Sequence, residues 1–410
     1  MDTRTIARPA PLTLGDGRPA TAGWTLDPTK RHINHGSFGA VPIVAQEHQQ
    51  ALRREMEAAP LTWFPALPAK VGAARVGIAD FLGASVDQLA MVPNASAGAS
   101  VVFSSLPVQR GLEIIVTDHG YGAVTMGAER LARRWGGTVR TARIPLDADA
   151  QTAHDAVVAE FSDRTALIVM DQITSPTARL LPVQQIAATA RAAGIPTLVD
   201  AAHVPGLYAD PMRDLDCDFW VGNLHKFGCA PRGAAVLVAR SPLAQELYPL
   251  IDSWGSPYPF PQRFDTQGTV DVTSYLAAAT SLGFIEDRWG WSAARDYMTE
   301  LADYAVEVVA DAVTAITGED SHVDVGMPVN ALRLVKLPTG LATTHATADG
   351  LRDRVSAELG VEGAFTSLDG IGYVRLSTHV YNTPEDFEHF AEHAVPVLAR
   401  WAEEERAATS

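Results

Sequence analysis

The sequence predicts an α/β protein, with a large domain on a mostly parallel sheet and a smaller α+β domain behind it. Three observations predict it. Strand-length apolar runs recur through the middle of the 410-residue chain, helical patterns lie between several of them, and a segment rich in Pro, Gly, Ser and Tyr separates this region from a differently patterned tail.

In chain order, Met1 to Ala20 mixes Arg4, Arg8 and Arg18 with Pro9, Pro11 and Pro19 and reads as a loose arm. Val44, Ala45, His48, Leu52 and Met56 recur at a spacing near four, which predicts an amphipathic helix, and a second helix is predicted over Val71 to Phe81. Strands are predicted at Leu112 to Val116, Val139 to Ile144, Ala166 to Met170, Thr197 to Val199, Phe219 to Val221 and Ala235 to Val238. Helices at Thr125 to Arg134, Ala150 to Phe161 and Val183 to Ala193 complete βαβ units. Ser253 to Thr273 reads as a long functional loop. The tail then predicts a helix over Ala293 to Ile316, a strand over Ala331 to Leu337, a helix over Thr347 to Leu359, a strand over Gly372 to Ser377 and a terminal helix from Pro384. Asp320 to Pro328 suits a loop or a short edge strand equally. The expected boundaries are 1–30 for the arm and 31–285 for the large domain, with helices near 43–82 serving the small domain or an interface. The small domain is expected over 286–410.

Composition excludes several function classes. With 32 Lys and Arg against 48 Asp and Glu, the formal charge of −16 repels nucleic acid and anionic membrane surfaces, so any anionic ligand needs a local positive pocket. No segment reaches the roughly 20 apolar residues of a membrane helix. Cys217 and Cys229 are too few for a disulfide framework, and a reducing cytoplasm is expected. The 12 histidines show no metal-ligand spacing with cysteine, and no G-x-G-x-x-G follows a strand.

The chemistry concentrates between Thr197 and Gly233. The run Thr197-Leu198-Val199 ends at Asp200, and His203 follows after two alanines. Strand ends are where α/β sheets place chemistry, and an acid there is poorly solvated and wants a cationic partner. A helix cap or a structural ion pair would also use such an acid. Further on, Phe219-Trp220-Val221-Gly222-Asn223-Leu224-His225-Lys226 places a lysine just past a strand and before a glycine-rich turn. A lysine held near buried surface there can shed its proton and attack an aldehyde, whereas an ordinary lysine is a solvated surface cation.

The strings Val199-Asp200-Ala201-Ala202-His203 and Gly222-Asn223-Leu224-His225-Lys226 resemble the class V aminotransferase branch of fold-type I pyridoxal 5′-phosphate (PLP) enzymes. The resemblance runs from Asn34-His35-Gly36-Ser37-Phe38-Gly39 to Arg375-Leu376-Ser377-Thr378, and within the class it is strongest to the isopenicillin N epimerase-like group. It implies that Lys226 holds PLP covalently, that Asp200 pairs with the pyridine nitrogen and that His203 touches the phenolic oxygen. Ala95 and Ser96, opening a helix, are expected to cradle the phosphate together with Asn223 and His225, although many relatives carry Ser or Thr at Asn223. Tyr121 aligns with the residue that stacks on the ring. Thr269, in Gln267-Gly268-Thr269, matches the loop through which a neighbouring subunit reaches the phosphate, so a homodimer with shared sites is implied. Arg375, alternating with Tyr373 and Ser377, suits bidentate capture of a substrate α-carboxylate, with Asn34 and His35 on the substrate side. A surface cation on an edge strand is the plainer use of Arg375.

The resemblance leaves the reaction open. Cysteine desulfurases of the class carry a cysteine shortly before the carboxylate-binding arginine, and Gly360 to Tyr373 has none. The remaining fates are β-elimination from an S-substituted cysteine, epimerisation, transamination and oxidative decarboxylation. A PLP-binding protein without catalysis is the alternative outside enzymes. Elimination asks for a single base, Lys226, and is the expected reaction. The loops Asn34 to Phe38, Leu61 to Pro65 and Ser253 to Phe264 are expected to shape the substrate side-chain pocket.

Overall fold

The computed structural model describes residues 6–107 and 110–409. The first five residues of the expected arm, together with Val108 and Gln109, lie outside it. The chain divides into two compact units, one of Phe38–Ser175 and Arg179–Phe284, the other of the residues up to Ser37, Pro176–Ala178 and those from Ile285.

In the larger unit seven strands form one sheet: β1 (Leu89–Val92), β2 (Glu113–Thr117), β3 (Thr138–Ala142), β4 (Thr165–Asp171), β5 (Thr197–Asp200), β6 (Phe219–Asn223) and β7 (Ala235–Ala239). Their order is β1-β7-β6-β5-β4-β2-β3. Only β7 runs against the rest, pairing antiparallel with both β1 and β6. The run from β3 to β6 is parallel. Helices α1 (Ile43–Ala58), α2 (Pro60–Leu82), α3 (Ala95–Ser105), α4 (Gly122–Trp135), α5 (Ala150–Val158) and α6 (Val183–Ala192) accompany it. Strands β2, β5, β6 and β7 are buried along their whole length, as sheets covered on both faces require. Phe103, Leu131, Trp135, Phe219 and Phe264 share one apolar core.

Helix α2 begins at Pro60, well before the predicted Val71, because proline at the first helical position loses no hydrogen bond. Leu61 to Pro65 is therefore helix and not the expected loop. Within Ser253 to Thr273, the short 3-10 turn Gln262–Asp265 is anchored by a bidentate pair from Arg75 to Asp265 at 2.9 and 2.7 Å, both residues buried. Burial keeps the Asp265 carboxyl above its ordinary value even with Arg75 on it. The desolvation of such a pair offsets much of its attraction, so it fixes the geometry of the turn more than it adds stability.

Helix α7 (Thr273–Trp289) leads into the smaller unit, which contains α8 (Trp291–Thr317), α9 (His345–Leu359), α10 (Pro384–His389) and α11 (Val395–Thr409). Its sheet is antiparallel: β8 (Leu332–Lys336), β9 (Ala364–Leu368) and β10 (Ile371–Ser377), ordered β9-β10-β8. Arg375 thus sits on the central strand, not on an edge. A π turn at Phe390–Ala394 interrupts the predicted terminal helix. Pro396 follows, and a residue without an N–H cannot continue the regular ladder there. His322 bridges to Val335, so part of Asp320 to Pro328 approaches β8 as a single bridge. The segment before Ser37 buries Leu14, Ala20 and Trp24, and Trp24 stacks on Trp289 with centroids 6.2 Å apart.

Candidate active site

The larger unit gathers polar groups at the C-terminal edge of its parallel strands, where β4, β5 and β6 end in Asp171, Asp200 and Asn223. Asp200 is 3% exposed. Its Oδ1 accepts the Ala202 N–H at 3.0 Å, and its Oδ2 has no hydrogen-bond partner. Burial raises its pKa above the ordinary carboxylate value. An orphaned carboxyl oxygen at a buried edge is costly unless a cationic or N–H donor meets it.

The turn after β6 carries Lys226. The sequence has four lysines, Lys30, Lys70, Lys226 and Lys336, and Lys226 alone is buried. Its Nζ lies 3.0 Å from His203 Nε2, which the turn after Asp200 brings over. Two glycines clamp this turn. A Cβ on Gly39 would fall 1.9 Å from the His225 carbonyl oxygen, and one on Gly206 2.5 Å from that of Phe227. Both glycines have positive φ, +69° and +97°, so no other residue suits either position.

The N-terminus of α3 lies beside this edge. Asn94 caps the helix by accepting the Ala97 N–H, while the Ala95 N–H donates to Asn223 Oδ1, both at 2.8 Å. Asn223 therefore fixes the helix terminus whose first turn presents the half-buried Ser96. His225 has Nδ1 3.1 Å from the Ala234 carbonyl, and burial pushes its pKa down to about 4. It is neutral at physiological pH, with Nδ1 as the donor. A cavity of about 200 Å³ is lined by Pro93, Arg232, Gly233, Gln267, Asp271 and Arg53 among others. Thr269 stands exposed on the loop after Gln262–Asp265. Tyr121 is the cap residue of α4; its N–H donates to Asp171 Oδ2 at 3.1 Å and its side chain is open to solvent.

In the smaller unit Arg375 is 2% exposed and donates from Nη2 to Asn34 Oδ1 at 3.2 Å and to Ser37 Oγ at 3.0 Å. Burial pushes its pKa down to about 10, which leaves it charged at neutral pH. Asn34 is held by a parallel bridge to Ser377, and the Gly36 N–H donates to Ser377 Oγ. His35 Nδ1 lies 3.0 Å from the Tyr381 hydroxyl and its ring stacks on His379. Sequence reasoning passed over Ser37 and Asp171. The same signal that exposed Asp200, an acid closing an apolar strand, marks Asp171. Cys217 and Cys229 are fully buried, and burial pushes the Cys217 thiol up to about 12 and the Cys229 thiol higher still. Neither is placed to act as a thiolate.

The model of the family described as aminotransferase class-V matches residues 66–390. The chain belongs to the class-V aminotransferase family. An isopenicillin N epimerase of Streptomyces clavuligerus is 30% identical over 401 residues, covering 93% of this chain and 98% of that one. An L-cysteine desulfhydrase of Arabidopsis thaliana is 26% identical, covering 87% and 85%. Among solved structures, a cystine C–S lyase bound to its product cysteine persulfide superposes with a TM-score of 0.71 at 18% identity, over 91% of this chain and 97% of that one. A cysteine desulfurase from Escherichia coli gives 0.71 at 18%, over 93% and 97%. These likenesses give the class-V chain the fold-type I architecture. No helix among the described residues is long and apolar enough to cross a membrane.

Proteins of the class-V family bind PLP, and the residues at this edge fit that group. Asp200 Oδ2 is an acceptor waiting for an N–H, Lys226 is a buried amine for the aldehyde, and the α3 terminus offers N–H groups and Ser96 to a phosphate.

Proposed function

We propose that this class-V protein is a PLP-dependent enzyme that takes the Cα proton from an S-substituted L-cysteine and expels the β-thiol. When bound, PLP supplies an electron sink that acidifies the Cα–H of an amino acid. Lys226 would hold the cofactor's aldehyde carbon, and its amine is the base that receives the Cα proton. His203, 3.0 Å away, orients that amine. Asp200 would accept the ring N–H through Oδ2, the N-terminus of α3 with Ser96 and His225 would hold the phosphate, and Tyr121 would cover the ring. Asn223 serves that phosphate side by fixing Ala95. Thr269 serves the phosphate of a second copy in a homodimer. Arg375, steadied by Asn34 and Ser37, takes the α-carboxylate, with His35 beside them. As the Cα–H bond breaks, its electron pair forms the Cα–Cβ double bond and the Cβ–S pair leaves with sulfur; Lys226 returns the proton to the thiolate. The resulting aminoacrylate hydrolyses to pyruvate and ammonium.

The observation that carries this reading is the single buried lysine beside His203, since elimination needs one base and epimerisation needs two. Similarity to an L-cysteine desulfhydrase and to the fold of a cystine C–S lyase supports it. Epimerisation is the second reading. It is favoured by the identity with isopenicillin N epimerase and by the buried His35–Tyr381 contact, a second proton-bearing pair next to Asn34. Incubation with L-amino acids and cysteine S-conjugates in D2O is expected to release pyruvate and free thiol. Recovery of the D-isomer without pyruvate overturns elimination in favour of epimerisation; a keto acid with intact side chain, or CO₂ release with oxygen uptake, overturns it in favour of transamination or oxidative decarboxylation.

Arg375→Ala is expected to raise KM for amino-acid substrates while PLP stays bound, because the α-carboxylate loses a charge-assisted bidentate partner worth about 2–5 kcal/mol. Steady-state kinetics beside the cofactor's visible absorbance check it. Unchanged KM would place the carboxylate elsewhere.

A further inference from the structure

The reading above leaves a second buried acid on the same edge unused. Asp171 closes β4 as Asp200 closes β5, and the two are paired residue for residue in parallel register. Side chains at one register on adjacent parallel strands point to the same face, with strands about 4.8 Å apart. Both residues are 3% exposed. Their hydrogen bonding differs. Asp200 leaves one oxygen without a partner, whereas Asp171 turns its oxygens to the Tyr121 N–H at 3.1 and 3.4 Å and also accepts from the Ser175 backbone.

The Tyr121 contact fills a gap in α4. Tyr121 is the cap residue of that helix, and its own side chain makes no capping bond. A carboxyl from β4 takes the N–H of the cap residue instead, so the backbone that carries the Tyr121 ring is tied to the sheet edge and not only to its own turn. A Cβ on Gly120, just before it, would fall 2.9 Å from Thr125 Oγ1 and 3.1 Å from the Thr117 carbonyl oxygen, so the close turn into Tyr121 depends on glycine.

We propose that Asp171 is a positioning residue of the cofactor cradle, which ties the backbone carrying the Tyr121 ring to the sheet edge and leaves the unpartnered carboxyl oxygen of that edge to Asp200. The proposal rests on the PLP reading of the site. Two buried carboxyls in one register repel each other when both are charged, which favours a proton on one of them. The groups facing Asp171 are Asp200 on β5, Lys226 on the turn after β6, and the backbone N–H groups of Tyr121 and Ser175. Burial and the Asp200 charge push Asp171 up, while Lys226 and the two N–H donors pull it back less strongly. Asp200 has the oxygen free for a cofactor, so the charge serves there and the proton stays on Asp171.

The test compares Asp171→Asn and Asp171→Ala in the PLP-loaded protein, reading the cofactor's visible absorbance against pH, its circular dichroism and PLP affinity. Asn keeps a neutral acceptor for Tyr121, so the pH midpoint of the visible band is expected to stay within a few tenths of a unit of wild type. Ala removes the acceptor and is expected to weaken PLP binding about tenfold and to reduce the cofactor's circular dichroism. A shift of about one pH unit or more in Asp171→Asn would show a working charge on Asp171 and overturn the proposal. Wild-type affinity and dichroism in Asp171→Ala would overturn it equally. Failure of the PLP reading itself is separate: wild-type protein would then take up no PLP and yield no borohydride-fixed adduct.

Discussion

Lys226→Ala is expected to abolish the covalent attachment of PLP, shift its visible band and reduce turnover by about 10²–10⁴-fold, the usual worth of a positioned proton-transfer group. Borohydride treatment of the wild type, followed by peptide mapping, should place the reduced cofactor on the peptide containing Lys226. The competition is small, because Lys30, Lys70 and Lys336 are the chain's other lysines. Lys70 is paired with Glu55 and Lys336 with Glu319, while Lys30 donates to the Ser356 carbonyl. Lys226 differs in being buried, with the His203 imidazole 3.0 Å from its amine and the buried carboxyls of Asp171 and Asp200 near enough to feel its charge. Reduced cofactor on any other lysine would sink the assignment.

The reasons some of this is readable from sequence are physical. Asp200 and Lys226 follow short apolar runs directly, and a polar residue closing a buried strand has few packing uses. Arg375 was readable through strand alternation, but its place on the central strand depends on β9, Ala364–Leu368, a pairing no local pattern announced. The reversal of β7 was readable in principle: the 11 residues 224–234 between β6 and β7 are too few for a crossover helix, which forces antiparallel pairing. Strand β1 was harder to see, with only Leu89–Val92 before Pro93. Asp171 closes an apolar strand as Asp200 does, but its contact with the Tyr121 N–H, like that of Ser37 with Arg375, joins residues distant in sequence, and a single sequence carries no trace of such pairings.

Asp200→Ala is expected to slow exchange of the substrate Cα proton by about 10²–10³-fold and to weaken PLP binding, because it removes the buried acceptor proposed for the ring N–H. Burial raises Asp200 above the ordinary carboxylate range when nothing faces Oδ2. A protonated ring nitrogen would supply the missing partner and favour the ionised form of Asp200. Asp200→Asn isolates this effect. It keeps the shape and an oxygen that can accept from Ala202, but it cannot balance a ring cation, so exchange should remain slow in Asp200→Asn as in Asp200→Ala. Exchange near the wild-type rate in either variant would refute the role. The same Asp-to-Asn change one strand away, at Asp171, is expected to leave the cofactor's pH midpoint in place. Two buried acids in one register would then answer an identical substitution in opposite ways, which burial alone cannot produce, since both are 3% exposed. The difference has to come from what each carboxyl faces: backbone N–H groups at Asp171, and an oxygen without a partner at Asp200.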